Sequence, residues 1–194
     1  MARPREFNPQ ETLRTAIDVF WEKGYFDASV DEVVKRSGVA KYGIYGTFGT
    51  KRELFIQALN QYAKDRRHDI QRPIHKPEAS LPQIREFFRL SPKLVVHPDS
   101  NRRGCLLCNS GVEMGANDLE TREIVNDFFT QLTATLKTCL KRAVLKEEIA
   151  QDLAITDTAK FLSTEFRALV MLAGSGVALR EIENHVKFSL RVLD

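Results

Sequence analysis

Residues 29–54 read SVDEVVKRSGVAKYGIYGTFGTKREL, and the architecture of the chain follows from them. Ser29 is a helix-capping residue, and Glu32 three positions on completes the pattern of a capping box. Val30, Val33 and Val34 share the inner face of the short helix that follows. Ser37-Gly38-Val39 breaks it, because glycine takes the left-handed conformation that a tight corner between helices requires. A second short helix is predicted from about Ala40 to Phe48, with Val39, Ile44 and Phe48 turned inward. Lys41, Tyr42, Gly43, Tyr45, Gly46 and Thr47 then face out. Thr50-Lys51-Arg52-Glu53 is another capping box and opens a third helix. The span is too small to be an independent core. Its shape is that of a helix-turn-helix, in which the outward face of the second helix lies in the major groove of DNA.

The flanking sequence is helical in both directions. Asn8-Pro9-Gln10-Glu11 is a helix start, with Asn as cap, Pro in the first turn and Glu at the third position. Leu13, Ala16, Ile17, Phe20 and Trp21 form one apolar stripe, which ends at Gly24. After Thr50, the stripe Leu54, Phe55, Ala58, Leu59 and Tyr62 carries a helix to about Arg72, where Pro73 and Pro77 stop it. A fifth helix starts at Ser80, and Pro92 to Arg103 reads as an irregular connection. Gly104 to about Gly115 is a sixth helix, Asn117 caps a long seventh, and Thr156 begins an eighth. The Gly174-Ser175-Gly176 turn leads to the last one. No segment has the sustained period-two alternation of a strand, so the predicted fold is all-α.

At 194 residues the chain is long enough for one core-bearing domain and a small appended one. With 43% hydrophobic and 28% charged residues it reads as soluble and globular. Its formal charge is only +3, and residues 1–52 hold nine Lys and Arg against seven Asp and Glu, a net of +2. Contact with DNA must therefore come from the placement of charge, not its amount. No apolar run approaches the roughly 20 residues of a membrane helix, and MARPREFNPQ has no apolar signal core, so a cytoplasmic protein is expected, with no membrane partner. Three cysteines do not make a disulfide framework, which suits a reducing compartment. There is no phosphate-cradling glycine loop after a strand and no nucleophile elbow, and the four histidines lack metal-ligand spacing. Neither an enzyme nor a bound metal or other cofactor is expected.

The stretch from Ala16 to Phe55 resembles the N-terminal domain of the TetR-type transcriptional regulators. The likeness is carried by Gly24-Tyr25-Phe26 ahead of the helix-turn-helix, by Ile44-Tyr45-Gly46-Thr47-Phe48, and by Lys51. Two positions depart from the pattern: Ala40, where Ser or Thr is more usual, and Thr47, where His or Tyr is often found. The resemblance implies a helix-turn-helix DNA-binding domain over residues 1–53 and a helical effector-binding and dimerisation domain over 54–194, about nine helices in all. It implies a homodimeric, ligand-responsive regulator, a repressor that occupies a palindromic operator. A helical interaction module that no longer reads DNA is the alternative from another class.

Lys51 stands in the first turn of its helix, where free N–H groups favour a phosphate, and Tyr45 can donate its hydroxyl to a neighbouring one. Lys41, Tyr42, Gly43, Gly46 and Thr47 are the candidates for base edges, and Ser29 and Ala40 at the two helix starts complete the set. Gly43 and Gly46 suggest a bare face that lets the backbone approach the groove. Phe87, Phe88, Met114, Phe128, Leu132 and Phe166 could line an apolar effector cavity, or be ordinary core. Phe161, Ala168, Leu169, Leu172, Ala173, Ile182, Val186 and Leu190 could form a four-helix dimer face, or again be core. Cys105 and Cys108, at i and i+3, share a helix face. They could make a thiol- or metal-responsive version of the regulator, with Arg102 and Arg103 lowering a thiol pKa and Cys139 and distant histidines such as His97 as further ligands, or be inert buried cysteines.

Overall fold

The computed structural model describes residues 7–95 and 104–194. Among the described residues there are nine α-helices and no strand: α1 (Pro9–Asp27), α2 (Val30–Ser37), α3 (Lys41–Phe48), α4 (Lys51–Ile70), α5 (Leu81–Val95), α6 (Leu106–Glu113), α7 (Leu119–Leu145), α8 (Ile155–Gly174) and α9 (Leu179–Ser189). Short 3-10 turns lie at Arg72–His75 and Leu190–Leu193. No helix among these residues is long and apolar enough to cross a membrane.

The first three helices and the start of α4 make the N-terminal head. Asn8 caps α1, its side chain accepting the Gln10 N–H at 3.0 Å, and Pro9 fills the first turn. α1 does not end at Gly24 as the stripe suggested. It bends there, at φ 76° and ψ 178°, and runs on to Asp27, a backbone combination that essentially glycine alone adopts. The ring of Tyr25, just past the bend, lies 4.9 Å from that of Phe55, which Phe20 meets edge-on at 5.1 Å. Ala16, Val33, Ile44, Leu54 and Phe55 are fully buried around these rings. Ser29 caps α2 by accepting the Glu32 N–H at 3.2 Å. The return bond of a capping box does not form, because the Glu32 carboxylate binds Arg36 at 2.8 Å and Lys23 at 3.3 Å, and two cations outcompete one amide.

The rest of the chain is a helical body in which α7 packs on α8, α8 on α9, and α5 against all three. Phe87, Leu132, Leu136, Leu162, Leu169 and Ile182 are fully buried in it. α5 continues through Pro92 to Val95, where an irregular stretch was expected. Proline removes one helical hydrogen bond, but Ser91 is buried and donates its hydroxyl to the Phe87 carbonyl at 2.7 Å, and Phe87 and Phe88 anchor the helix in the core. Residues 96–103 of that expected connection lie outside the described residues. The cap of α7 is Asp118, one residue after the expected Asn117, and it accepts the Thr121 N–H at 2.8 Å. α4 starts in the head and ends in the body, so a boundary between residues 53 and 54 falls inside its first turn.

Candidate nucleic-acid interface

The corner between α2 and α3 is set by Gly38 at φ 70°, whose N–H donates to the Val34 carbonyl at 2.9 Å. α3 is anchored by two buried side chains, Ile44 and Phe48. It ends at Gly49, φ 78°, where any side chain would collide with the Glu53 carboxylate. That carboxylate accepts the Thr50 N–H at 2.6 Å, while Thr50 Oγ1 accepts the Glu53 N–H at 3.2 Å, so the capping box at the start of α4 is complete.

These constraints leave a narrow outward ridge on α3. Tyr42 is 90% exposed and Tyr45 43%, and Ala40, Lys41, Gly46 and Thr47 are exposed beside them. Ser29 is exposed at the start of α2, its hydroxyl engaged as a cap. Gly43 is a correction to the bare-face expectation. A Cβ there would stand 3.2 Å from the Phe7 ring and 3.4 Å from Val39, so Gly43 is the floor on which the N-terminal Phe7 rests. Gly46 alone of the two opens into free space, with nothing within 4 Å. Lys41 is held to α2 by Asp31 at 2.8 Å, and that hydrogen bond raises its pKa.

Lys51 is more constrained than a solvated helix-end lysine. Its Nζ donates to the Phe26 carbonyl at 3.2 Å and sits 4.7 Å over the Tyr25 ring. The bend at Gly24 thus orients the ammonium group that was read as a phosphate anchor. Glu113, at the end of α6, accepts the N–H groups of Tyr25 at 3.0 Å and Phe26 at 2.9 Å. Arg52 reaches the body too, 3.0 Å from Asp118 and 2.9 Å from Glu120. Phe7, Arg52, Glu113 and Asp118 were missed by sequence reasoning: partners separated by 66 or 87 residues leave no local pattern.

In the body, all six residues proposed for an effector cavity are buried. Of the six, Phe128 and Phe166 line a small, partly open cavity of about 20 Å³, together with Trp21, Tyr62, Arg66 and Cys105. Phe87, Phe88, Met114 and Leu132 are core, with Phe87 against Phe166 at 5.1 Å between ring centres. The expected dimer set divides in the same way. Leu169, Ala173, Ile182, Val186 and Leu190 are buried within the chain itself, Ala168 and Leu172 are half-buried, and Phe161 is exposed. Met171 and Phe188 are exposed apolar residues on the same two helices that the periodicity did not single out, since it marks the stripe facing the core.

Cys105, Cys108 and Cys139 are free and buried. Cys139 stands apart and donates to the Ile74 carbonyl at 3.5 Å. Among the described residues no three His, Cys, Asp or Glu side chains gather into a metal-binding group. Arg102, Arg103 and His97, named as possible helpers of the cysteines, lie outside the described residues.

Two family models match the chain: bacterial regulatory proteins of the tetR family over residues 13–58, and the tetracyclin repressor-like C-terminal domain over residues 80–185. The chain is 28% identical to the HTH-type transcriptional regulator YezE of Bacillus subtilis over the full length of both. It is 23% identical to the HTH-type transcriptional repressor ComR of Escherichia coli, over 98% of this chain and 90% of that one. Among solved structures it is similar to a cysteine-substituted form of the regulator CifR complexed with 26bp operator DNA, with a TM-score of 0.84, 22% identity and full coverage of both chains. It is also similar to the reduced form of E. coli NemR, with a TM-score of 0.78, 14% identity and coverage of 95% and 96%. The helix-turn-helix head, the helical body and both family models agree: this chain belongs to the TetR family of bacterial transcriptional regulators.

Proposed function

We propose that the protein is a cytoplasmic repressor that binds a palindromic operator as a homodimer and releases it when a small effector acts on the body. The observation that carries this reading is the ridge of Lys41, Tyr42, Tyr45, Gly46 and Thr47, laid out beside a Lys51 whose ammonium group is fixed by Phe26 and Tyr25. Tyr45 and Lys51 hold phosphates, and the remaining ridge residues, with Ala40 and Ser29 at its edge, meet the groove. Repressors among the relatives and operator DNA on a protein of the same fold support the assignment.

The head ends and the effector and dimerisation domain begins near the start of α4. One head reads too little DNA for useful specificity, so two are needed, spaced by roughly 34 Å, one helical turn. Phe161, Ala168 and Leu172 form the dimer face with exposed Met171 and Phe188, and the buried residues of the original set back it from behind. The effector acts at the cavity lined by Phe128 and Phe166, through unequal affinity for the two arrangements of the heads.

Selection of bound fragments from random DNA tests the whole reading. Enriched palindromes, bound with an affinity that falls steeply with salt, are expected. Enrichment of no sequence over bulk DNA would leave a helical interaction module in its place.

A further inference from the structure

Ligand pockets for drug-sized molecules run to about 300–1,000 Å³. The small, partly open cavity between Trp21 of α1 and the body holds about 20 Å³, room for something little larger than one water, which needs roughly 10–15 Å³. The cavity is not a closed apolar void. Arg66 lines it with an Nε that is buried and has no hydrogen-bond partner in the structure, and Cys105 lines it with a thiol. Cys108, three residues on, lines an open groove of about 370 Å³ with Lys23, Asn109, Glu113 and Met171. The two thiols stand three residues apart at the start of α6, and Tyr62 lines the cavity beside Cys105.

We propose that Cys105 and Cys108 are a peroxide-oxidised dithiol, and that closing their disulfide is the event that releases DNA. The proposal rests on the regulatory reading above and names the effector for it: hydrogen peroxide.

The two sulfurs are chemically unequal, as such a pair requires. The Cys105 thiol is held below the usual thiol range, to about 7, chiefly by the Cys108 thiol and further by the N–H groups of Cys108 and Leu107 and by the Tyr62 hydroxyl, against the opposing effect of burial. Cys108 is pushed far up, by its neighbour Cys105 and by burial. Cys105, at the N-cap of α6 and lining the cavity beside Arg66, is the attacking thiolate, and Cys108 is the resolving thiol. The Cys105 sulfur attacks one peroxide oxygen and the O–O bond breaks. The departing hydroxide takes up the proton that Cys105 had released, making the first water and leaving a sulfenic acid. The Cys108 sulfur then attacks the Cys105 sulfur, the S–O bond breaks, and the hydroxide leaves with the Cys108 proton as the second water. Two thiols lose two electrons in all, and the peroxide is reduced by the same two. The unpartnered Arg66 Nε–H is placed to donate to the peroxide or to the departing oxygen.

A path to the head is built into the same helix. Cys105 is the N-cap residue of α6 and Cys108 lies in its first turn. Glu113 at its other end accepts the N–H groups of Tyr25 and Phe26, and the Phe26 carbonyl accepts Lys51. Rearranging the first turn of α6 to form a disulfide disturbs the acceptor that orients the phosphate anchor.

The test is one equivalent of hydrogen peroxide on the reduced, full-length protein, read by peptide mapping and by binding to its selected operator. A Cys105–Cys108 disulfide is expected, with Cys139 left as the remaining thiol, and a roughly ten-fold or greater loss of operator affinity that dithiothreitol restores. Cys108→Ser protein is expected to stop at a sulfenic acid on Cys105 that dimedone traps. Oxidation of Cys139 as fast as of Cys105, or a disulfide that leaves operator affinity unchanged, overturns the proposal. The mapping does not depend on DNA. If the reduced protein selects no operator, the regulatory reading fails while the map still reports whether the dithiol forms.

Discussion

The carboxylate of Glu113 accepts the backbone N–H of Tyr25 at 3.0 Å and, through its other oxygen, that of Phe26 at 2.9 Å. The bend at Gly24 takes the backbone out of helical geometry, and a side chain from α6 supplies an acceptor for the two amides that follow. The Phe26 carbonyl then receives Lys51 Nζ at 3.2 Å. Glu113, Phe26 and Lys51 thus form one hydrogen-bonded line from the body to the edge of the candidate DNA surface.

Replacing Glu113 by Gln keeps its size but turns an amide group toward one of the two N–H donors. Hydrogen bonds to a charged acceptor contribute about 1.5–3 kcal/mol when buried, and less where water competes. A loss of about 1–2 kcal/mol in urea-induced unfolding is expected. Wild-type stability in Glu113→Gln would mean that water replaces the carboxylate at no cost.

Gly24→Ala is expected to be the more damaging of two glycine substitutions. Its φ of 76° with ψ of 178° excludes other residues, and a Cβ would stand 2.8 Å from Glu113 Oε2. A cost of about 1–3 kcal/mol follows from the backbone alone. Gly38→Ala has only the left-handed conformation against it, with free space around the Cβ, and should lose about 1–2 kcal/mol. Equal melting temperatures for the two variants would contradict this ranking.

Gly46→Ala and Gly43→Ala separate groove approach from packing. Alanine at Gly46 meets nothing and should raise stability by up to about 1 kcal/mol. At Gly43 the new Cβ must displace the Phe7 ring at 3.2 Å, and the gain should shrink or reverse. On operator DNA the order changes, because only Gly46 faces out. Its alanine variant should bind more weakly, and undiminished affinity would show that the backbone does not approach the groove there.

Lys51→Ala should flatten the dependence of operator affinity on salt. Each neutralised phosphate contributes about 0.9 to the slope of the logarithm of affinity against the logarithm of salt concentration. Removing one contact per head should therefore lower the slope by about 1.8 for a dimer. Tyr45→Phe should weaken binding with little change in slope, since it removes a neutral donor. An unchanged slope in Lys51→Ala would take the phosphate-anchor role from that residue.

The hydrogen bonds that Asp118 accepts make stability depend on acid. The Thr121 N–H and then the Arg52 guanidinium hold the Asp118 carboxyl below its ordinary value of 3.8. A depressed carboxylate adds stability that is present above the unfolded pKa and is lost as pH falls through the folded one. Unfolding measured from pH 6 down to about pH 2 should show this loss in the lower part of the range. Asp118→Asn should be less stable at pH 6 and should lose less on acidification. Parallel pH curves for the two proteins would assign the acid sensitivity elsewhere.

The helix-turn-helix was legible in the sequence because its signals are local. Ser29, Gly38 and Thr50 each act within about one helical turn of themselves, and the structure finds the two caps and the left-handed corner where they were read. The capping box at Glu32 was misread because Arg36, one turn on, and Lys23, nine residues upstream, compete for the same carboxylate. Pro92 was misread for a related reason: its local penalty is real, but buried Phe87, Phe88 and Ser91 outweigh it. The effector and dimer sets mixed lining and outward residues with core, because an apolar stripe looks the same whether it meets a cavity, a partner or the chain's own interior.

Chain-local chemistry was therefore enough to establish an all-α fold, the caps Asn8, Ser29 and Thr50, the corner at Gly38, and the outward ridge on α3. Packing alone settled that Phe7 covers Gly43, that Glu113 and Phe26 orient Lys51, and that Cys105 faces a cavity little larger than a water molecule. Helix signals depend on neighbours one turn apart, whereas each of these contacts joins residues that only the folded backbone brings within reach.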